Sequence, residues 1–183
     1  MPVPEDALAT VRVKIRTVPD FPKPGISYKD ITPLIEDGPA LHAATDALHA
    51  ATEHLGYDHI LSAEARGFVF GTALAYRAKK GLVLARKPNK LPRQTISATY
   101  DLEYGTDTLE AHADAISEGA RVLVADDLLA TGGTARAMCD LVENAGGTVA
   151  GVAFLIELSY LGGRDLLAPY DVVSLITYDD PDE

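Results

Sequence analysis

With one cysteine, no tryptophan and only four phenylalanines in 183 residues, the chain lacks the means to staple itself by disulfides. Its lone thiol, Cys139, falls in a helical pattern and reads as a small hydrophobe, which suits a reducing compartment. Positive charge is scarce too. Sixteen Lys plus Arg stand against 27 Asp plus Glu, a net charge of −11, which disfavours indiscriminate binding to nucleic acid or to an anionic membrane. No apolar run, residues 149–156 included, approaches the roughly 20 residues of a membrane helix, and no basic and apolar leader precedes the opening Met-Pro-Val-Pro. A soluble, cytoplasmic protein is the expectation. Motifs are missing as well: no Gly-x-Gly-x-x-Gly after a strand, no Gly-Lys-Ser/Thr, no Gly-x-Ser-x-Gly. Hydride transfer, P-loop hydrolysis and acyl-serine chemistry lose their support.

What is present concentrates in residues 121–134, Arg-Val-Leu-Val-Ala-Asp-Asp-Leu-Leu-Ala-Thr-Gly-Gly-Thr. An apolar run ended by a turn reads as a buried parallel strand. It meets two adjacent carboxylates, Asp126 and Asp127, and then a turn of small residues that opens a helical pattern. Thr131, Gly132, Gly133 and Thr134 offer unhindered backbone N–H groups at the positive end of that helix, which is the construction of a phosphate cradle. The carboxylates would repel phosphate. Their chemistry is to accept hydrogen bonds from hydroxyls, as a ribose supplies, and by type they are ligands for a hard cation.

Elsewhere residues 5–16 read as a short amphipathic helix, and three prolines within residues 19–24 require an ordered loop. Asp37 and Pro39 open a second helix with an apolar stripe of Leu41, Ala44, Leu48, Ala51 and Leu55. His42, His49 and His54 ride on it without metal-spaced partners and read as solvated. From residue 58 the chain alternates: strand 59–63, turn 64–67, helix 68–79, strand 82–85, then the 121–134 unit with its helix to about 145, and strands 149–156 and 172–176. Such alternation implies one α/β domain over residues 1–183, a central mostly parallel, Rossmann-like sheet with helices on both faces. Ligands of such sheets sit beyond the carboxyl ends of the strands, where Arg66, Arg86 and the two aspartates fall. Residues 87–112 interrupt the pattern with a polar insertion, a hairpin around Tyr104-Gly105 that follows the basic cluster of residues 86–93. That position suits a lid. Residues 178–183 read as a frayed acidic tail. A phosphate loop, a diol-binding acid pair and the cations Arg66, Arg86 and Lys90 together fit a ribose carrying a 5-phosphate and a pyrophosphate.

Residues 122–134 resemble the phosphoribosyl-pyrophosphate motif of the type I phosphoribosyltransferases. Further stretches narrow the resemblance to the adenine branch of that family: Asp20-Phe-Pro-Lys-Pro-Gly-Ile26, Lys29-Asp-Ile-Thr-Pro33, Ala65-Arg-Gly-Phe-Val-Phe-Gly71, Arg86-Lys-Pro-Asn-Lys-Leu-Pro92, and Leu102-Glu-Tyr-Gly105 through Thr108-Leu-Glu110. They follow the family's order over residues 15–165. The resemblance implies an N-terminal helix and base-binding hood in residues 1–35. It also implies transfer of a phosphoribosyl group to adenine, giving AMP and pyrophosphate, with Mg2+ held mainly by the substrate near Asp126 and Asp127, and a homodimer. By similarity the 5′-phosphate belongs on Ala130, Thr131, Gly132, Gly133 and Thr134, the ribose hydroxyls on Asp126 and Asp127, and pyrophosphate on Ala65, Arg66, Arg86 and Lys90. Adenine belongs between Tyr28 and Leu158, its edge read by the backbone of Ser27 and Lys29.

Glu103 matches the residue that reaches purine N7 and, protonated, donates to it. Tyr104 matches a neighbour that steadies the sugar cation or the lid. Fixed cations, Arg66 among them, stabilise a leaving pyrophosphate more than the bound substrate. The chain departs from the common pattern with Tyr at 28 for Phe, Lys at 29 for Arg, and Glu64-Ala65 for Asp-Ser at a peptide that is cis in some members. Two rival readings remain. A 6-oxopurine enzyme would want a Lys facing O6, and residues 157–161, Glu-Leu-Ser-Tyr-Leu, have none. A non-catalytic sensor of phosphoribosyl pyrophosphate would want a nucleic-acid-binding element, and this acidic chain has no segment to spare for one.

Overall fold

Ile60 and Leu61 are neighbours on one strand, yet they belong to two separate apolar cores, because side chains alternate across a sheet buried on both faces. A computed structural model describes residues 5–101 and 105–183. In chain order the elements are α1 (Glu5–Arg12), β1 (Arg16–Val18), β2 (Tyr28–Asp30), α2 (Thr32–Glu36), α3 (Gly38–Thr52), β3 (His59–Ala63), α4 (Arg66–Ala78) and β4 (Gly81–Ala85). There follow β5 (Thr95–Asp101), β6 (Thr106–His112), β7 (Arg121–Leu129), α5 (Gly133–Asn144), β8 (Thr148–Leu158) and β9 (Val172–Tyr178), with short 3-10 turns at Glu53–Leu55, Ser159–Leu161 and Gly163–Leu167. Five strands form a parallel sheet in the order β4-β3-β7-β8-β9, with β1-β2 and β5-β6 as separate antiparallel pairs. The expected α/β sheet with helices on both faces is what is found.

One core packs Val11, Leu48, Phe70 and Leu74 from α1, α3 and α4 against Ile60, Leu123 and Leu155. The other packs Met138, Cys139 and Leu141 of α5 against Leu61, Val124 and Phe154. Cys139 is buried and its thiol is pushed up to about 12 by that burial, so it fills space and is no nucleophile. The stem of the β5–β6 hairpin belongs to this second core through Ala98, Leu109 and Ala111. It is tied to β4 by paired backbone bonds between Arg86 and Glu110. The 87–112 insertion is therefore rooted in the sheet's own core.

Four expectations need correcting. The first helix stops at Arg12 rather than residue 16. Arg66 and Gly67 lie in the first turn of α4, not in the turn before it. Of the three histidines, His42 is exposed and paired with Asp46 at 3.2 Å, whereas His49 has a buried Nδ1. Residues 178–183 are not frayed: Tyr178 is buried, and the carbonyls of Pro181 and Glu183 accept hydrogen bonds from Ser27, Lys29 and Thr17. Acidic composition hid that attachment, because the acceptors are backbone groups and carry no side-chain signature.

Candidate functional site

The sheet reverses its direction of growth between β3 and β7. From β3 the chain steps outward to β4, then returns to lay β7 on the other side of β3. Pairing of β3 with β7 runs from His59↔Val122 to Leu61↔Val124. Beyond that register the two strands part and a cavity of about 490 Å3 opens between them, at the crevice where doubly wound sheets take ligands. Its walls are residues 63–67 from the end of β3 and residues 126–135 from the end of β7. Two helix N-termini open on it. Neither α4, preceded by Ala65, nor α5, preceded by Gly132, is capped by a side chain, so their first backbone N–H groups are open to an anion.

Ala130, Thr131, Gly132, Gly133 and Thr134 all line this cavity. Gly132 sits at φ +88, a conformation that L side chains rarely adopt. Asp126 and Asp127 lie within β7 rather than after it, so their side chains leave on opposite faces of the strand. Asp127 is buried and forms an ion pair with Arg66, Nε to Oδ2 2.9 Å. Asp126 Oδ1 accepts the Asp127 backbone N–H at 2.9 Å, and a methyl group on Gly67 would stand 2.4 Å from that same oxygen. Gly67 thus lets α4 close over the carboxylate. Burial first, and then the charge of Asp127, push the Asp126 carboxyl well above the ordinary range, with Arg66 pulling the other way. Among the described residues no group of three or more His, Cys, Asp or Glu is gathered as a metal site.

Arg66 joins this cavity to the N-terminal hood. Its Nη1 donates to the Tyr28 hydroxyl, and its guanidinium carbon lies 5.3 Å from the centre of the Tyr28 ring. Tyr28 meets Phe21 edge to face, centroids 5.0 Å apart, and both line a second cavity of about 310 Å3 with Val18, Asp30 and Thr32. The hydroxyl that distinguishes Tyr28 from Phe therefore has a partner. Lys29 is 2% exposed. Its ammonium donates to Thr17 Oγ1 at 3.0 Å and to the carbonyls of Pro181 and Glu183, and it stands 4.3 Å from the centre of the Tyr178 ring. Ser27 Oγ donates to the same Pro181 carbonyl at 2.6 Å. Leu158 is buried at the end of β8.

The remaining basic residues are placed differently from one another. Arg86 Nε donates to Glu64 Oε2 at 2.5 Å and its Nη1 to the Lys90 carbonyl at 3.2 Å. Lys87 is paired with Asp107 of β6, and Lys90 is exposed. The Glu64–Ala65 peptide is cis. Of the expected pyrophosphate set, Ala65 and Arg66 line the first cavity and Arg86 and Lys90 do not. Glu103 and Tyr104 lie outside the described residues. In sequence Glu64 stood out only as a departure from the common pattern and Phe21 only as part of a family stretch, neither with a role, and the turn at Gly163 went unread although the Gly162-Gly163 pair is a visible signal of close backbone approach.

The chain matches the profile of the phosphoribosyl transferase domain over residues 35–179. It is 69% identical over 182 residues to an adenine phosphoribosyltransferase of Rubrobacter xylanophilus, covering 99% of this chain and 98% of that one. The crystal structure of an adenine phosphoribosyltransferase from Thermoanaerobacter pseudethanolicus superposes with a TM-score of 0.91 at 51% identity, over 93% of this chain and 99% of that one. The Saccharomyces cerevisiae enzyme, crystallised with adenine and an imino-altritol bisphosphate, superposes at 0.88 with 34% identity, over 94% of this chain and 99% of that one.

Proposed function

The chain belongs to the adenine phosphoribosyltransferase family, and we propose that its cleft moves the 5-phosphoribosyl group of phosphoribosyl pyrophosphate to N9 of adenine, giving AMP and pyrophosphate in purine salvage. One observation carries the assignment of roles: a single cavity wall runs from Arg66 through the aspartate pair to the glycine turn, matching an anion, a diol and a second anion in sequence. The 5′-phosphate belongs in the turn of residues 130–134, held by backbone N–H groups and the α5 dipole. The ribose hydroxyls belong on Asp126 and Asp127. Pyrophosphate belongs at Ala65 and Arg66, with Arg86 and Lys90 brought in from the segment after β4. Arg66 gives up Asp127 and Tyr28 for the diphosphate, exchanging one set of charge-assisted bonds for another.

As the C1′–O bond lengthens, negative charge grows on the departing pyrophosphate and the sugar carbon becomes oxocarbenium-like. Fixed guanidinium groups lower that barrier because they interact more strongly with the product charge than with the ground state. Mg2+ would be held mainly by the diphosphate, near the hard oxygen donors of Asp126 and Asp127, and would supply Lewis-acid neutralisation of the leaving group. Adenine belongs between Tyr28 and Leu158, with the backbone of Ser27 and Lys29 reading its edge and Glu103 sharing a proton with N7. Tyr104 and the loop joining β5 to β6 exclude water from the sugar cation. A cytoplasmic homodimer belongs to the same reading. Tyr76 on α4, 88% exposed, and Leu84 on the edge strand β4 offer apolar surface that a second copy would cover.

The test is a purine panel. The protein is mixed with phosphoribosyl pyrophosphate, Mg2+ and each base in turn, and the nucleotide formed is identified. AMP from adenine is expected; IMP or GMP as the main product would overturn the assigned base.

A further inference from the structure

The turn after β8 touches the glycine loop from behind. A methyl group on Gly163 would stand 2.1 Å from the Ala130 carbonyl oxygen and 2.9 Å from the Gly132 nitrogen, and one on Gly132 would stand 2.5 Å from the Gly163 carbonyl oxygen. Bare backbone therefore lies on bare backbone, an approach open only to glycine on both sides. The next residue is Arg164. Its Nε donates to Glu157 Oε1 at 2.9 Å and its Nη2 to Glu157 Oε2, while Nη1 reaches the Val172 carbonyl at 3.1 Å and Nη2 the Ser174 hydroxyl at 3.3 Å. Glu157 is 4% exposed, near the end of β8, and is registered with Leu129 of β7 immediately before the loop. A two-pronged guanidinium–carboxylate contact fixes direction as well as distance. Neither side chain lines the cleft.

We propose that Glu157 and Arg164 are positioning residues for the phosphate loop: by clamping the Gly162-Gly163 turn to β8, they hold the backbone of residues 130–132 in the shape that receives the 5′-phosphate. The inference rests on the assignment of that phosphate to residues 130–134. It explains why an acid is tolerated at the buried end of β8, beside Leu158. A buried carboxylate without its partner is costly, so Glu157 and Arg164 have value only as a pair.

Ribose 5-phosphate and magnesium pyrophosphate probe the two anion sites separately by calorimetry. Arg164→Met is expected to weaken ribose 5-phosphate binding by about tenfold to a hundredfold, the scale of a small misplacement of a binding group, while pyrophosphate affinity stays within about twofold. Arg164→Lys, which keeps the charge and loses the fork, should fall between. Gly163→Ala should give the same one-sided loss. Unchanged ribose 5-phosphate binding in folded Arg164→Met, or equal weakening of both probes, overturns the clamp. If Arg164→Met does not fold, Arg164→Lys and Gly163→Ala decide by the same split. The underlying assignment fails separately, if the wild type does not bind ribose 5-phosphate.

Discussion

The proposed phosphate end of the cleft is made by one continuous stretch, residues 121–134, whereas the proposed base end is made by segments as far apart as Ser27 and Pro181, 154 positions along the chain. At the first of these ends the strand, the acid pair, the glycine turn and the helix start follow one another, and what the turn offers a ligand is backbone. At the base end, α1 and the β1–β2 hairpin are placed by long-range contacts, those to β9 and the residues after it among them. Arg12 Nη2 reaches the Thr177 carbonyl at 3.1 Å, and Lys29 and Ser27 reach Pro181. A local design tolerates little change in its backbone and much in its surroundings. A design assembled from distant segments tolerates side-chain change in its binding face, as Tyr for Phe at 28, provided the attachments hold.

The contrast is tested most severely at Gly132. Gly132→Ala adds a Cβ that would stand 2.5 Å from Gly163 at a positive φ, and kcat/KM for phosphoribosyl pyrophosphate should fall by about a hundredfold or more. The adenine KM, measured at saturating phosphoribosyl pyrophosphate, should move far less; a parallel loss in both would mean that the two ends are not independent. Glu103→Gln should lower kcat by roughly tenfold or more with phosphoribosyl-pyrophosphate affinity nearly intact, as expected of a group used mainly in the transition state. Steady-state rates beside calorimetric binding check this, and unchanged turnover removes Glu103 from the mechanism.

Lys29→Met tests the attachment of the hood. Several-fold higher adenine KM is expected, about threefold to tenfold, the range for losing one to two charged hydrogen bonds, with phosphoribosyl-pyrophosphate KM unmoved and partial rescue by Lys29→Arg. Burial lowers the pKa of Lys29 against the opposing pull of Glu183, Asp182 and Asp180, so a neutral replacement removes a charge that is costly to bury. No change in adenine KM would show that the hood is held by its backbone pairing alone.

The smallest effect is one of pH. Hydrogen bonds from Arg164 hold the Glu157 carboxyl below its ordinary range in spite of burial. A carboxyl depressed in the folded state contributes stability above its unfolded pKa, about 4.3 for Glu, and loses that contribution as pH falls through the lower folded value. Glu157→Gln should therefore cost about 1–3 kcal/mol at pH 7, toward the low end because the Arg164 side chain is about half exposed. Thermal melts should show the gap between variant and wild type closing below about pH 4; a gap that stays constant in acid would mean that the pair is not ionised in the fold.

Much of this molecule was legible in the chain because its information is local. Apolar patterns specified the strands and helices, as at 59–63, where the structure has the same bounds, and at 172–176, which it extends to residue 178. The glycine turn with the acids before it announced an anion beside a diol. Residues 13–16, 66–67 and 178–183 were misread for one shared reason: helix ends and attachments depend on what packs against them, which no local pattern records. The sequence alone determined an α/β sheet, a glycine turn at the end of an acid-bearing strand, proposed above as the phosphate cradle, and the cations available to a second anion. Tertiary structure alone decided the strand order β4-β3-β7-β8-β9, which opens the crevice between β3 and β7. It also decided the seating of Gly163 behind the loop and the capture of residues 181 and 183 by Lys29. Each of these is a contact between backbones or across long separations, and its energy arises only when the segments meet.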